Sequence, residues 1–218
     1  MNPSAEFDVI VYGATGFTGR LVAEYLAQQY GIGGDVKWAM AGRSEDKLKS
    51  VRDEMGISSG IPLVTADSSD KASLASMAKS AKAIITTVGP YQLYGTDLLA
   101  ACAEHGTDYV DLSGEPAWMH DTVEQFDAAA KKSGARIVHS CGFDSVPFDL
   151  GVYFTQQAAI EKFGAPCNRI KGRVRKISDH VVIQAQHLAR IGAKGRTIIG
   201  KSKLTTRSAD QLGLQQIL

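Results

Sequence analysis

Tyr12–Arg20 reads YGATGFTGR. The apolar run FDVIV, Phe7–Val11, comes directly before it, and LVAEYLAQQ, Leu21–Gln29, directly after, with apolar residues returning at helical spacing. Strand, glycine-rich turn and helix therefore succeed one another with almost no loop. Gly13, Gly16 and Gly19 fit G-x-x-G-x-x-G, one residue longer in its first gap than the commonest dinucleotide fingerprint. Gly13 lets the strand turn, Gly16 lets the backbone approach a pyrophosphate, and Gly19 lets the helix sit close to the sheet. The phosphates would lie on free amides at the positive end of the helix, in a cradle made by Gly13, Thr15, Gly16, Phe17, Thr18 and Gly19. Taken alone, the pattern also fits a tight turn with no ligand, so the rest of the chain must decide.

Up to about Phe163, short apolar runs alternate with amphipathic segments. Strands are expected near Phe7–Val11, Lys37–Ala41, Leu63–Ala66, Ala83–Val88, Tyr109–Leu112 and Arg136–Ser140. Helices are expected to begin near Phe17, Glu45, Lys71, Asp97 and Trp118, with a sixth after Pro147, and Ser44, Asp70 and Thr96 are candidate caps. Strands and helices in alternation with short connections argue for right-handed crossovers and a parallel sheet covered on both faces. The fold class is thus α/β, a doubly wound parallel sheet of the dinucleotide-binding type. A glycine turn in the first strand-turn-helix of such a domain has the context that a cofactor site requires.

The end of the second strand, WAMAGRS, selects the cofactor. Domains built for NAD usually carry Asp or Glu there for the ribose hydroxyls, whereas this chain has Gly42, Arg43 and Ser44. A carboxylate would repel a 2′-phosphate, while Arg43 and the Ser44 hydroxyl would bind one, so NADP(H) is favoured over NAD(H). Ligands in open parallel sheets lie beyond the carboxyl ends of the strands. That rule adds Asp67, after the third strand, on the adenine side, and Val88, Gly89, Pro90 and Tyr91, after the fourth, on the nicotinamide side.

Bulk composition bounds the remaining possibilities. The 218 residues are 44% hydrophobic and 22% charged, the profile of a folded domain with a substantial core. Three separated cysteines form no disulfide framework or metal-ligand spacing, and the chain shows neither a leader pattern nor a membrane-length apolar run. A cytoplasmic setting and no metal are the expectations. Cys102 and His105 sit three apart, but no second pair completes a site. The net charge of +1 divides into +9 over Asn168–Leu218 and −8 before it. This basic end could meet a membrane surface or a protein partner; with no aromatic residue after Phe163 to stack on bases, no nucleic-acid role is expected.

Five motifs in order, GATGFTGRLVAEYL, AGRSEDKL, VGPYQLYG, ACAEHGTDYVDLSGE and GFDSVPFDLG, make the chain resemble the saccharopine dehydrogenase-like oxidoreductases, including their trans-acting enoyl reductase members. The resemblance covers about Phe7–Gly151. It implies a Rossmann domain, a nicotinamide cofactor, a small-molecule substrate, and reduction of a carbon–nitrogen or carbon–carbon double bond. It divides the chain into a dinucleotide-binding domain at 1–165 and, at 166–218, the start of a truncated or diverged α+β region for substrate or oligomer contacts. Family sequences continue well beyond this length, so a homo-oligomer is expected to cover the surface that a full second region would bury.

No catalytic residue is assigned. Asp111, Ser113, Gly114 and Glu115 at the fifth strand end, and Cys141, Asp144 and Ser145 after the sixth, sit where a proton relay could stand, or where they would simply cap helices, with Pro147 in a first turn. None of the tyrosines is followed four residues later by Lys, which excludes the short-chain dehydrogenase pair as a motif. Hydride transfer requires only a positioned nicotinamide. The rival reading is a non-catalytic NADP(H)-binding sensor or scaffold that acts through the basic C-terminal region.

Overall fold

The segment Phe7–Tyr12 is apolar on both of its faces, which suits a strand buried between two helical layers. The computed structural model describes residues 5–173. There the elements run β1 (Phe7–Tyr12), α1 (Phe17–Tyr30), β2 (Trp38–Gly42), α2 (Glu45–Glu54), β3 (Leu63–Thr65), α3 (Lys71–Ser80), β4 (Ala81–Thr86), α4 (Tyr91–Tyr94), α5 (Thr96–His105), β5 (Asp108–Val110), α6 (Pro116–Ser133), β6 (Ile137–Val138) and α7 (Val146–Phe163). The strands form one six-stranded sheet in the order β3-β2-β1-β4-β5-β6. All five pairings are parallel, and β1 takes the centre with Tyr12 level with Ala41 of β2 and Thr86 of β4.

Side-chain alternation along these strands builds two cores. Val11, Trp38 and Met40 face one side, where they meet Ala23 and Leu26 of α1 and Leu48 and Val51 of α2. Ile10, Tyr12, Ala39 and Ala41 face the other, against Leu74 and Met77 of α3, Leu98, Leu99 and Cys102 of α5, and Trp118 of α6. Each side chain so buried removes apolar surface from water, worth about 1.5 to 3 kcal/mol for a large aliphatic residue. The expected doubly wound sheet is therefore present.

Local signals account for most boundaries. Ser44 caps α2 by accepting from the Lys47 amide, and Asp70 caps α3 by accepting from the Ala72 amide. The third expected cap does not form. Gly95 holds the cap position of α5, and the Thr96 hydroxyl instead accepts from the Trp118 indole at 2.9 Å. The sixth strand is also shorter than expected, ending at Val138. The Ser140 amide there donates to the Asp111 side chain rather than to a ladder, with φ of 59°. Cys141, past that strand end, is exposed.

The described residues fall into two units, one ending at Cys141 and the other beginning at Gly142. The second contains α7, with Ser145 at its cap position and a proline in its first turn. Residues 174–218, and with them most of the basic region and of the expected second region, lie outside the described residues. No described helix is long and apolar enough to cross a membrane.

Candidate cofactor site

The glycine turn is fixed from three directions. Gly13 and Ala14 both donate to the Ala41 carbonyl of β2, at 3.0 and 3.1 Å, and the Gly16 amide donates to the Gly13 carbonyl at 2.9 Å. Just past β4, the Thr87 amide and hydroxyl both donate to the Tyr12 carbonyl, at 2.9 and 3.2 Å. Gly13 has φ of +89°, and a Cβ there would come within 2.7 Å of the Thr87 hydroxyl and 2.8 Å of a Val88 methyl. At Gly19 a Cβ would overlap the Gly13 carbonyl itself. Glycine at 19 is thus what lets the first turn of α1 close on the loop.

The amino end of α1 is left open for an anion. Its cap residue, Gly16, offers no side chain, and its first turn has no acidic residue, whereas α2 opens with Glu45 and Asp46. The first amides of a helix have no intrahelical partner, so those of Phe17, Thr18 and Gly19 are available to phosphate oxygens. Thr18 is half-buried and Phe17 exposed beside them.

A cavity of about 350 Å³ opens over this turn, lined by Tyr12, Gly13, Thr15, Gly42, Arg43, Ser68, Val88, Gly89 and Tyr94. It straddles β1, the strand at which the order reverses, with β2 and β3 contributing one wall and β4 the other. Of the residues read from sequence, Gly13, Thr15, Arg43, Val88 and Gly89 meet here. Gly16, Phe17, Thr18 and Gly19 continue from the turn into α1.

Four others do not line the cavity. Ser44 is occupied as the cap of α2. Asp67 accepts from the amide and hydroxyl of Ser69, at 2.9 and 2.7 Å, bonds that hold its carboxyl below the usual range, and its neighbour Ser68 faces the cavity. Tyr91 is buried, with its hydroxyl donating to the Thr86 carbonyl at 3.2 Å and its ring stacked on Trp118. Pro90, joined to Gly89 by a cis peptide, is exposed.

The motif reading passes over Tyr12, Ser68 and Tyr94. Position alone would have found Tyr12, the last residue of β1 and so the first side chain at the crevice. Burial pushes its phenol up to about 12, with the Asp67 charge adding to this and the Ser68 hydroxyl and Arg43 opposing it. Tyr12 is thus a neutral donor beside Arg43, which suits an anionic oxygen.

The carboxylates of DLSGE have structural partners. Asp111 accepts from the Ser113 and Ser140 amides, at 3.0 and 2.9 Å, and from the Tyr109 hydroxyl at 3.0 Å. Its second oxygen also lies 2.7 Å from His139 Nδ1. Glu115 accepts from the amides of Tyr91 and Gln92, both at 2.8 Å. Ser113 accepts from the Glu115 amide at 3.2 Å. In the second unit, burial raises the Asp144 carboxyl. Cys102 is fully buried, which pushes its thiol up, and no group of three metal ligands occurs among the described residues.

A parallel doubly wound sheet, a glycine turn at its central strand and a crevice across the switch point together define a nucleotide-binding Rossmann domain. The family model of the saccharopine dehydrogenase NADP binding domain matches residues 9–138. The chain belongs to that family and carries its NADP-binding domain. A relative from Mycobacterium tuberculosis is 52% identical over 157 residues, covering 72% of this chain and 37% of its own. The trans-acting enoyl reductase of Mycobacterium ulcerans is 47% identical, with the same coverage of both chains. This chain spans little more than a third of the length of these relatives. Among solved structures, apo saccharopine dehydrogenase (L-Glu forming) from Saccharomyces cerevisiae shares the fold, with a TM-score of 0.53 at 16% identity over 68% of this chain and 32% of that one.

Proposed function

We propose that the protein is an NADPH-dependent oxidoreductase that reduces a double bond in a small molecule. The observation that carries this reading is the composition of the β2 end of the cavity, where Gly42, Arg43 and Ser68 meet and no carboxylate lines the wall. Arg43, with the Ser44 hydroxyl and the neutral phenol of Tyr12, would hold the 2′-phosphate. The turn Gly13–Gly19 would hold the pyrophosphate, Asp67 would stand on the adenine side, and the segment Val88–Tyr91 would flank the nicotinamide. When bound, the nicotinamide supplies a hydride. Relatives named trans-acting enoyl reductase favour a carbon–carbon double bond over carbon–nitrogen.

The decisive experiment titrates the protein with NADPH and NADH by fluorescence, with Arg43→Ala alongside. NADPH should bind more tightly than NADH, and the substitution should weaken NADPH by about 10- to 100-fold while leaving NADH within about two-fold. Equal affinities, or no binding of either, would refute the reading. The sensor or scaffold reading draws on Asp111 and Glu115, whose engagement in structural bonds leaves neither free as an acid. Consumption of NADPH with an α,β-unsaturated carbonyl acceptor decides for the enzyme.

A further inference from the structure

Three residues that line the β4 side of the cavity, Val88, Gly89 and Tyr94, belong to one short stretch of chain. None of it lies in the sheet, since β4 ends at Thr86, and its one helix, α4, is only four residues long. Its position is set from below. The buried Glu115 stands at the cap position of α6 but makes no side-chain bond to its own helix. Its carboxylate crosses instead to the next segment, where one oxygen accepts from the Tyr91 amide and the other from the Gln92 amide, each at 2.8 Å. Trp118, one turn into α6, stacks on the Tyr91 ring at 5.5 Å and leaves no room for a Cβ at Gly95. Side-chain packing thus holds the far end of the stretch and the Pro90 carbonyl takes the amides of Leu93 and Tyr94, while Glu115 fixes the amides of Tyr91 and Gln92.

The geometry points to Glu115 as a positioning residue for the nicotinamide side of the cofactor cavity, a role that rests on the NADPH reading above. Glu115 does not line the cavity, so it acts by holding the wall in place. A carboxylate is suited to this because both of its oxygens accept from an N–H group here, whereas a glutamine would turn its amide donor toward one of the two. A buried amide left without a partner loses the bond and pays its desolvation as well.

The two walls of the cavity allow the role to be isolated. Adenosine 2′,5′-bisphosphate reaches only the β2 and β3 side, while NADPH spans both. In Glu115→Gln of the full 218-residue chain, NADPH should bind about ten-fold more weakly, and adenosine 2′,5′-bisphosphate should stay within about two-fold of the unaltered protein. A merely structural defect would weaken both ligands alike. If Glu115→Gln does not fold, Gln92→Pro deletes one of the two donors from the exposed side, in a first helical turn that tolerates proline, and carries the same expectation. Equal weakening of both ligands, or of neither, in a folded variant overturns the role. An unaltered chain that binds neither ligand overturns the cofactor reading and this role with it, a result distinct from intact binding with no split in the variants.

Discussion

Gly13 and Gly19 are constrained by different obstacles. At Gly13 the backbone is left-handed and the neighbouring atoms are side chains of Thr87 and Val88, whereas at Gly19 the obstacle is the backbone carbonyl of Gly13. Backbone cannot step aside as a rotamer can, so Gly19→Ala must push α1 away from the turn. It is expected to cost about 3 kcal/mol in urea unfolding and to abolish dinucleotide binding. Tyr12 supplies a pH prediction. Its pKa rises from 10.0 to about 12 in the folded protein, so the folded state keeps a proton that the unfolded chain has already lost over that interval. The stability it contributes is complete below pH 10 and disappears between pH 10 and 12, to a total of about 2 to 3 kcal/mol. Burial of Tyr91 and Tyr109 acts in the same direction. Alkaline unfolding followed by circular dichroism should therefore be steep, and Tyr12→Phe should make it shallower.

Among the elements, the ends of β5 and β6 are joined through one carboxylate. Asp111, 2% exposed, takes bonds from the Ser113 and Ser140 amides, just past each strand, and from the Tyr109 hydroxyl of β5. Asp111→Asn keeps the shape but sets an amide against donors, and it should destabilise the protein by about 3 kcal/mol in urea titration. Losing a helix cap is milder: Asp70→Ala should cost about 1 kcal/mol by the same measurement. These two cases also mark what a sequence reader can see. Asp70 acts on a backbone two residues away, so its position before an amphipathic run is enough. The glycine turn and the order of strands and helices are legible for the same reason, since turn chemistry and periodicity are local. Asp111 meets residues up to 29 positions away, and Glu115 reaches back 24 to fix α4, a helix too short to have any period. Thr96 looked like a cap, yet its hydroxyl is taken by Trp118 from another helix. In the cavity Gly13, Thr15, Arg43, Val88 and Gly89 were readable from motifs and Tyr12 from its position, whereas Ser68 and Tyr94 enter only because strand ends converge.

For the molecule as a whole, a ligand that bridges both walls of the cavity should tie the two sides of the sheet together. NADPH at one hundred times its dissociation constant is expected to add about 2.7 kcal/mol, which raises the melting temperature by roughly 5 to 10 °C in a thermal scan. The position of β1 at the centre of the sheet has an implication for synthesis. Its neighbour β4 begins at Ala81, so until the residues before it have left the ribosome, β1 can pair on one side only. The nascent half-sheet carries an open edge of unmet amides and carbonyls, the form of chain most prone to recruit a stray strand. Thr87, whose hydroxyl secures the loop after β1, emerges only once that edge is closed. Competence to hold a nucleotide is therefore acquired only once β4 has joined the sheet rather than at its start, and a chaperone that shields this edge would guard the step on which all later function depends.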